Sequence, residues 1–264
     1  MSVAAGQDTI AAAFATSGKR AALMPYLMGG FPDLETSRAI GEAYAEAGAD
    51  LVELGVPFSD PLADGPVIHA AGTAALAAGA TLHGVLEVGR VLMESVPVVL
   101  MCYANLVLAR GPERFADELA ERGISGLIVP DLPLEEAGET LIACDAAGVA
   151  LVPLVAPTTP EERLAAIGRS ARGFVYAVAV TGTTGEREGL VEAQRAIVTR
   201  ARARTDVPVA VGFGISTPAA VAQAADAGAD GVIVGSRLVR AAAEAPEPAS
   251  AVRDLVSEFA AALR

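Results

Sequence analysis

Eight short apolar runs recur along the chain with helix-forming segments between them, and this alternation is the feature that most limits the fold. The runs are Leu23–Met28, Leu51–Leu54, Val98–Met101, Gly126–Val129, Leu151–Val155, Phe174–Val178, Val207–Val211 and Gly231–Val234. They are rich in Val, Leu and Ile and bounded by Gly or Pro. None shows the polar alternation of a strand with one wet face. Strands buried on both faces read this way, which points to a parallel sheet covered by helices. Between the runs, Ala-, Glu- and Arg-rich segments of helical period predict helices near Glu35–Ala47, Ile68–Ala78, Glu113–Arg122, Glu135–Ala147, Pro160–Arg169, Gly189–Arg204 and Pro218–Ala227. Three more helices are expected: Asp8–Thr16 at the N-terminus, His83–Glu94 after the second helix, and Pro248–Ala262 at the C-terminus.

Eight such units in 264 residues predict a closed (β/α)8 barrel of the TIM type rather than an open sheet. No Pro-, Ser- or Gly-rich linker divides residues 1–264, so a single domain is expected. A weak internal echo supports repeated units. AGADLVELG (Ala47–Gly55) and AGADGVIVGS (Ala227–Ser236) each pair a helix end and a Gly-containing turn with a strand. In such barrels the reacting groups sit at the C-terminal ends of the strands and in the loops that follow.

The net charge of −13 excludes whole classes of partner. A nucleic-acid binder needs a cationic surface, and anionic lipid would be repelled. A phosphorylated ligand would need a local anion site made from backbone N–H groups at helix starts. Cys102 and Cys144 lie in apolar surroundings without metal or redox spacing and read as buried free thiols. No export signal and no long uninterrupted apolar stretch is visible, so a cytoplasmic location is expected.

Exclusion narrows the chemistry. The one lysine, Lys19, precedes the first apolar run, so a Schiff-base lysine on a barrel strand is not available. His69 and His83 form no HxH or HExxH pattern, and no Cys/His cluster exists, so no metal is expected. There is no GxGxxG and no Walker lysine. Acid–base catalysis by carboxylates and hydroxyls remains.

Glu53 stands inside the apolar run Leu51–Leu54, sharing a face with Leu51. A carboxylate aimed into a barrel top loses hydration and must be paired or hold its proton more tightly. It reads as a catalytic acid/base or as a structural group bonding the barrel rim. The next loop, Gly55–Pro66, is long for a βα connection and holds Asp60 and Asp64. Asp64 is suited either to a substrate donor or to an Asx-turn. At the other end of the chain, Gly212-Phe213-Gly214 precedes a helix start, and Gly235-Ser236 follows the last run. Glycines let an anion approach the backbone, and these two loops are the usual phosphate site of the barrel class. The segment Thr181–Gly189 reads as a lid or an ordinary connection, with Gly185 within reach of the phosphate. Tyr176, inside the sixth run, is either a core aromatic or a hydroxyl facing the interior.

These residues resemble a known family. LVELGVPFSDPLADGPVI (Leu51–Ile68) looks like the signature of the tryptophan synthase alpha chain, and LMCYAN (Leu100–Asn105), GLIVPDLP (Gly126–Pro133), the Gly182–Gly185 loop, VGFGIS (Val211–Ser216) and GVIVGS (Gly231–Ser236) follow in order. The resemblance covers nearly the whole chain. It implies a retro-aldol cleavage of indole-3-glycerol phosphate to indole and glyceraldehyde 3-phosphate. By that likeness Glu53 is the general acid/base, Asp64 holds the indole N–H, and Tyr176 lies near the reacting glycerol hydroxyl. Gly185, Gly214, Gly235 and Ser236 match phosphate-binding positions, and Tyr26, Leu100, Leu127 and Phe213 match the indole pocket. The family implies no cofactor on this chain. It implies a partner, the tryptophan synthase beta chain carrying pyridoxal phosphate, in an alpha2-beta2 heterotetramer. Pro57, Phe58, Asp60, Asn105, Asp131 and Pro133 match the contact region, where exposed Pro and Phe beside charges suit an interface. Thr183 stands where the family more often has an apolar residue, and Tyr26 where Phe is common. Two other readings compete: another phosphate-binding barrel isomerase or synthase, and a regulatory subunit that mainly activates its partner.

Overall fold

The computed structural model describes residues 6–178, 187–212 and 214–264. The first half of the chain runs α1 (Gly6–Thr16), β1 (Ala22–Met28), α2 (Leu34–Glu46), β2 (Val52–Gly55), α3 (Pro66–Ala77), α4 (Leu82–Leu92), β3 (Val98–Met101), α5 (Ala104–Arg110), α6 (Pro112–Glu121) and β4 (Gly126–Ile128). The second half runs α7 (Gly138–Ala147), β5 (Ala150–Val152), β6 (Leu154–Val155), α8 (Glu161–Ser170), β7 (Val175–Ala177), α9 (Arg187–Arg202), β8 (Val209–Val211), α10 (Pro218–Asp226), β9 (Gly231–Val234), α11 (Ser236–Glu244) and α12 (Pro248–Ala262). All strand pairs are parallel, in the order β5-β4-β3-β2-β1-β9-β8-β7-β6.

The run Leu151–Val155, expected as one strand, is two. Pro153 separates β5, which pairs with β4, from β6, which pairs with β7. Proline has no N–H for the ladder, so the strand turns at this point from one neighbour to the other. That turn brings the sheet round into a barrel of eight strand positions. Two helices escaped the sequence reading: α5, seven residues directly after the third strand, and α11, which starts at Ser236. The helix expected from Glu135 begins three residues later, at Gly138.

Strand parity divides the apolar residues into two cores. Leu23, Leu27, Val52, Leu54, Val98, Leu100, Leu127, Val209 and Val232 pack outward against the helices. Met24, Leu51, Val99, Ile128, Val152, Phe174, Ala210 and Ile233 fill the barrel interior. The N-terminal end of the barrel is stoppered by α1. Ile10 is fully buried in the interior core, and the Phe14 and Phe174 rings lie 5.8 Å apart. Glycine at two strand starts makes room for this plug. A Cβ at Gly126 would stand 3.1 Å from Ile10, and one at Gly231 only 2.7 Å from Phe14.

The AGAD echo has a structural counterpart at this closed end. The Asp50 carboxylate accepts from the Leu23 N–H at 2.7 Å, and Asp230 accepts from the Val209 N–H at 2.9 Å. Each aspartate thus pins the start of a neighbouring strand. Lys19 is ion-paired to Asp50 at 2.8 Å, nearly out of solvent. The single lysine is therefore a structural group at the end of the barrel away from the loops that carry chemistry. Cys102 and Cys144 are free and buried. Among the described residues no single helix is long and apolar enough to cross a membrane; only α3 and α4 taken together, bent by 109°, pass on length and composition.

Candidate active site

Glu53 sits on β2 between Tyr26 of β1 and Val99 of β3 in register, on the inward face. It is 1% exposed. Among the described residues its Oε2 is buried without a hydrogen-bond partner. Loss of hydration, reinforced by the Asp64 charge, pushes the Glu53 carboxyl up to about 8. At neutral pH it is therefore mostly protonated, the state that can hand a proton to a substrate and take one back. A buried polar atom left unsatisfied costs stability, so its retention in the interior suits a reacting group better than a structural one.

Glu53 opens onto a cavity of about 520 Å³ at the C-terminal end of the barrel. The cavity also receives Tyr26, Asp64, Tyr176, Gly214, Gly235 and Ser236, so six residues picked out from distant parts of the sequence converge with Glu53 on one space. Asp64 comes from the long β2–α3 loop. Its carboxyl is held above the ordinary range by burial, which outweighs the opposing hydrogen bond from Tyr103 and the His69 charge. Tyr103, at the start of α5, shapes this loop. Its hydroxyl accepts from the Ala63 N–H at 3.0 Å and bonds the Asp64 carboxylate, while the Phe58 ring stacks on its own at 5.2 Å. The sequence reading missed Tyr103; its one signal was a tyrosine two residues past a strand end.

Two tyrosines flank Glu53 and fit only because glycines face them. A Cβ at Gly55 would stand 2.1 Å from the Tyr26 hydroxyl, and one at Gly212 2.3 Å from the Tyr176 hydroxyl. The Tyr176 hydroxyl donates to the Gly212 carbonyl at 3.4 Å, a long bond that a substrate hydroxyl can replace. Burial, with the Glu53 charge nearby, raises the pKa of both phenols, so both stay protonated.

Across the cavity, Gly214 adopts φ +70°, which glycine tolerates without strain. Gly235 caps α11, whose first residue is Ser236. The N–H groups of a first helical turn have no intrahelical partner, so this corner offers donors to an anion. Gly185 and Phe213 lie outside the described residues, as does most of the Thr181–Gly189 segment.

Leu100 and Leu127 require correction. Both are fully buried in the outer core, against the helices, and neither lines the cavity. Because strand side chains alternate, a shift of one residue changes the face. Met101, the neighbour of Leu100, lines the cavity, and Ile128, beside Leu127, faces the barrel interior. Pro57 and Phe58 also differ from expectation as exposed anchors, since Pro57 is buried and Phe58 is half-buried on Tyr103. Asp60, Asn105, Asp131 and Pro133 are exposed. Asp131 has a structural task as well, accepting from the Ala104 N–H at 2.8 Å. Among the described residues no group of three or more His, Cys, Asp or Glu side chains is placed to hold a metal ion.

Comparison with known proteins finds relatives along nearly the whole chain. The model of the family "Tryptophan synthase alpha chain" matches residues 13–263. The tryptophan synthase alpha chain of Prochlorococcus marinus is 53% identical over 233 residues, 86% of this chain and 84% of that protein. That of Methanosarcina mazei is 45% identical over 241 residues, 91% of this chain and 88% of that protein. A crystal structure of tryptophan synthase from M. tuberculosis superposes with a TM-score of 0.88 at 39% identity, covering 97% of this chain and 98% of that one. A Pyrococcus furiosus structure, described as the tryptophan synthase α2β2 complex, gives a TM-score of 0.86 at 37% identity over 91% of this chain and 98% of that one. The chain belongs to the tryptophan synthase alpha chain family.

Proposed function

We propose that Glu53, Asp64 and Tyr176 carry out the alpha reaction that comes with this family, the cleavage of indole-3-glycerol phosphate to indole and glyceraldehyde 3-phosphate in tryptophan biosynthesis. The chain is a carbon–carbon lyase. The observation that supports these roles is the buried, unpartnered Glu53 carboxyl, held protonated near neutrality and opening onto the same cavity as Asp64 and the glycine-lined corner.

In this reading protonated Glu53 gives its proton to indole C3. The ring becomes an electron sink, with positive charge developing on the indole nitrogen. Asp64 faces that N–H and stabilises the charge. Removal of the proton from the adjacent glycerol hydroxyl then lets its oxygen form the aldehyde carbonyl. The C–C bond breaks, and its electron pair restores the aromatic indole. Glu53, ionised by the first transfer, accepts the hydroxyl proton with Tyr176 alongside, so the cycle closes without net gain or loss of protons. Gly214, Gly235 and Ser236 bind the phosphate, with Gly185 and Phe213 assigned to the phosphate and the indole by family likeness.

The alpha chain of this family carries no cofactor; pyridoxal phosphate belongs to the beta chain with which the family works. For this chain we assign an alpha2-beta2 assembly, a single-domain barrel and a cytoplasmic site of action. Asp60, Asn105, Asp131 and Pro133 form the exposed part of the contact region, supported by Phe58 beneath. Steady-state assay with indole-3-glycerol phosphate tests the assignment of roles. Indole release is expected from the wild-type chain and its loss from Glu53→Gln. An absence of indole even with a beta chain present would overturn the lyase reading.

A further inference from the structure

The basic side chains of this protein are mostly spoken for. Arg172 holds Asp145, Arg200 holds Glu161, and Arg253 holds Glu46. Arg169, Arg195, Arg264, Arg237 and Arg240 are not, and of these only Arg237 and Arg240 line the cavity. Among the described residues neither is in a salt bridge or a hydrogen bond, although the chain has 32 acidic residues to offer. Both lie on α11, three residues apart and so on one face of the helix, and both line the cavity beside Gly214, Gly235 and Ser236. Arg237 is half-buried and in the first helical turn; Arg240 is exposed one turn further along. A cation in a first turn opposes the partial positive charge of the helix start, and α11 has no acidic residue there to offset it. Such an arrangement suits a helix start that is normally occupied by an anion.

We propose that Arg237 is a side-chain ligand of the substrate phosphate, and that Arg240 attracts the phosphate at the cavity mouth. The proposal rests on the reading of this corner as the phosphate site and adds to the backbone donors already assigned there. A planar guanidinium offers paired N–H donors that match two phosphate oxygens. In a protein of net charge −13, two unpaired arginines also supply the local field that a dianionic substrate otherwise lacks on approach.

The test uses the full chain with Arg237→Gln, Arg240→Gln and the double variant. Loss of a charge-assisted bond at a partly exposed site predicts a rise in KM of about tenfold for Arg237→Gln and about threefold for Arg240→Gln, with kcat within about threefold of wild type. Inhibition by inorganic phosphate weakens in parallel, and the fall of kcat/KM with added salt becomes shallower in the double variant. Arg237→Lys, which keeps the charge but not the fork, recovers part of the loss. A double variant with KM and phosphate inhibition within about twofold of wild type overturns the proposal. So does a collapse of kcat with phosphate inhibition unchanged, which would mark a structural role. Calorimetric titration of inorganic phosphate into wild type and double variant separates this inference from the lyase reading, because it needs no turnover: equal affinities refute the arginine role even if the chain is inactive.

Discussion

Replacing Glu53 by Gln tests the central carboxyl through stability as well as rate. Its carboxyl titrates near 8 in the fold against an ordinary value of 4.5. A raised carboxyl leaves the folded state intact at low pH. The unfolded chain begins to ionise above 4.5 while the folded chain does not, so stability falls as pH rises and levels off above 8. At about 1.4 kcal/mol per pH unit, the cost is under about 1 kcal/mol at pH 5, about 3 kcal/mol at pH 7 and about 5 kcal/mol at pH 9. Gln has no proton to lose and escapes the whole effect. The stability of Glu53→Gln relative to wild type should therefore grow by about 2–3 kcal/mol between pH 5 and 7, and further to pH 9. Urea unfolding at the three pH values measures it, and turnover should fall by about 10²–10⁴-fold in the same variant. A difference between the two proteins that stays flat across this range would refute the buried, neutral carboxyl. In wild type the same ionisation predicts that kcat declines as pH climbs past about 8, as Glu53 loses the proton it must donate.

Leu100→Ala should destabilise the fold by about 2–5 kcal/mol while leaving KM unchanged, whereas Met101→Ala should raise KM for the indole substrate several-fold; the reverse pattern would return Leu100 to the pocket. Tyr103→Phe removes the acceptor of the Ala63 N–H and the donor to Asp64, and kcat/KM should fall about tenfold with little change in melting temperature. Lys19→Met leaves Asp50 unpaired at the closed end of the barrel and should cost about 3–5 kcal/mol with kinetic constants intact, so a selective loss of kcat would contradict a purely structural lysine.

The barrel was legible because its eight apolar runs carry no solvent face, a pattern that parallel strands under helices produce and little else does. Local chemistry also showed through. A charge in an apolar run marked Glu53, and paired glycines before helix starts marked Gly214 and Gly235. What failed depended on register. Family likeness assigns Leu100 and Leu127 to the pocket, and nothing in a continuous apolar run such as Val98–Met101 tells which alternate side chains face inward, so the sequence could not show that the inward positions lie one residue further on. Pro153 looked like a strand residue because only the pairing of β5 and β6 with different neighbours reveals the break. Tyr103 acts across a contact with the β2–α3 loop, forty residues away in sequence, which no local pattern encodes.

The two cysteines bear on how the protein can be observed. Cys102 and Cys144 are buried, and burial raises both thiols, Cys144 to about 12. The thiolate is the form that reacts, so native protein should be silent toward maleimides and other alkylating reagents. A cysteine introduced at an exposed position such as Leu62 in the β2–α3 loop would then be the one modified. Fluorophores or spin labels placed there singly would report loop movement on a wild-type thiol background, with no need to remove either native cysteine.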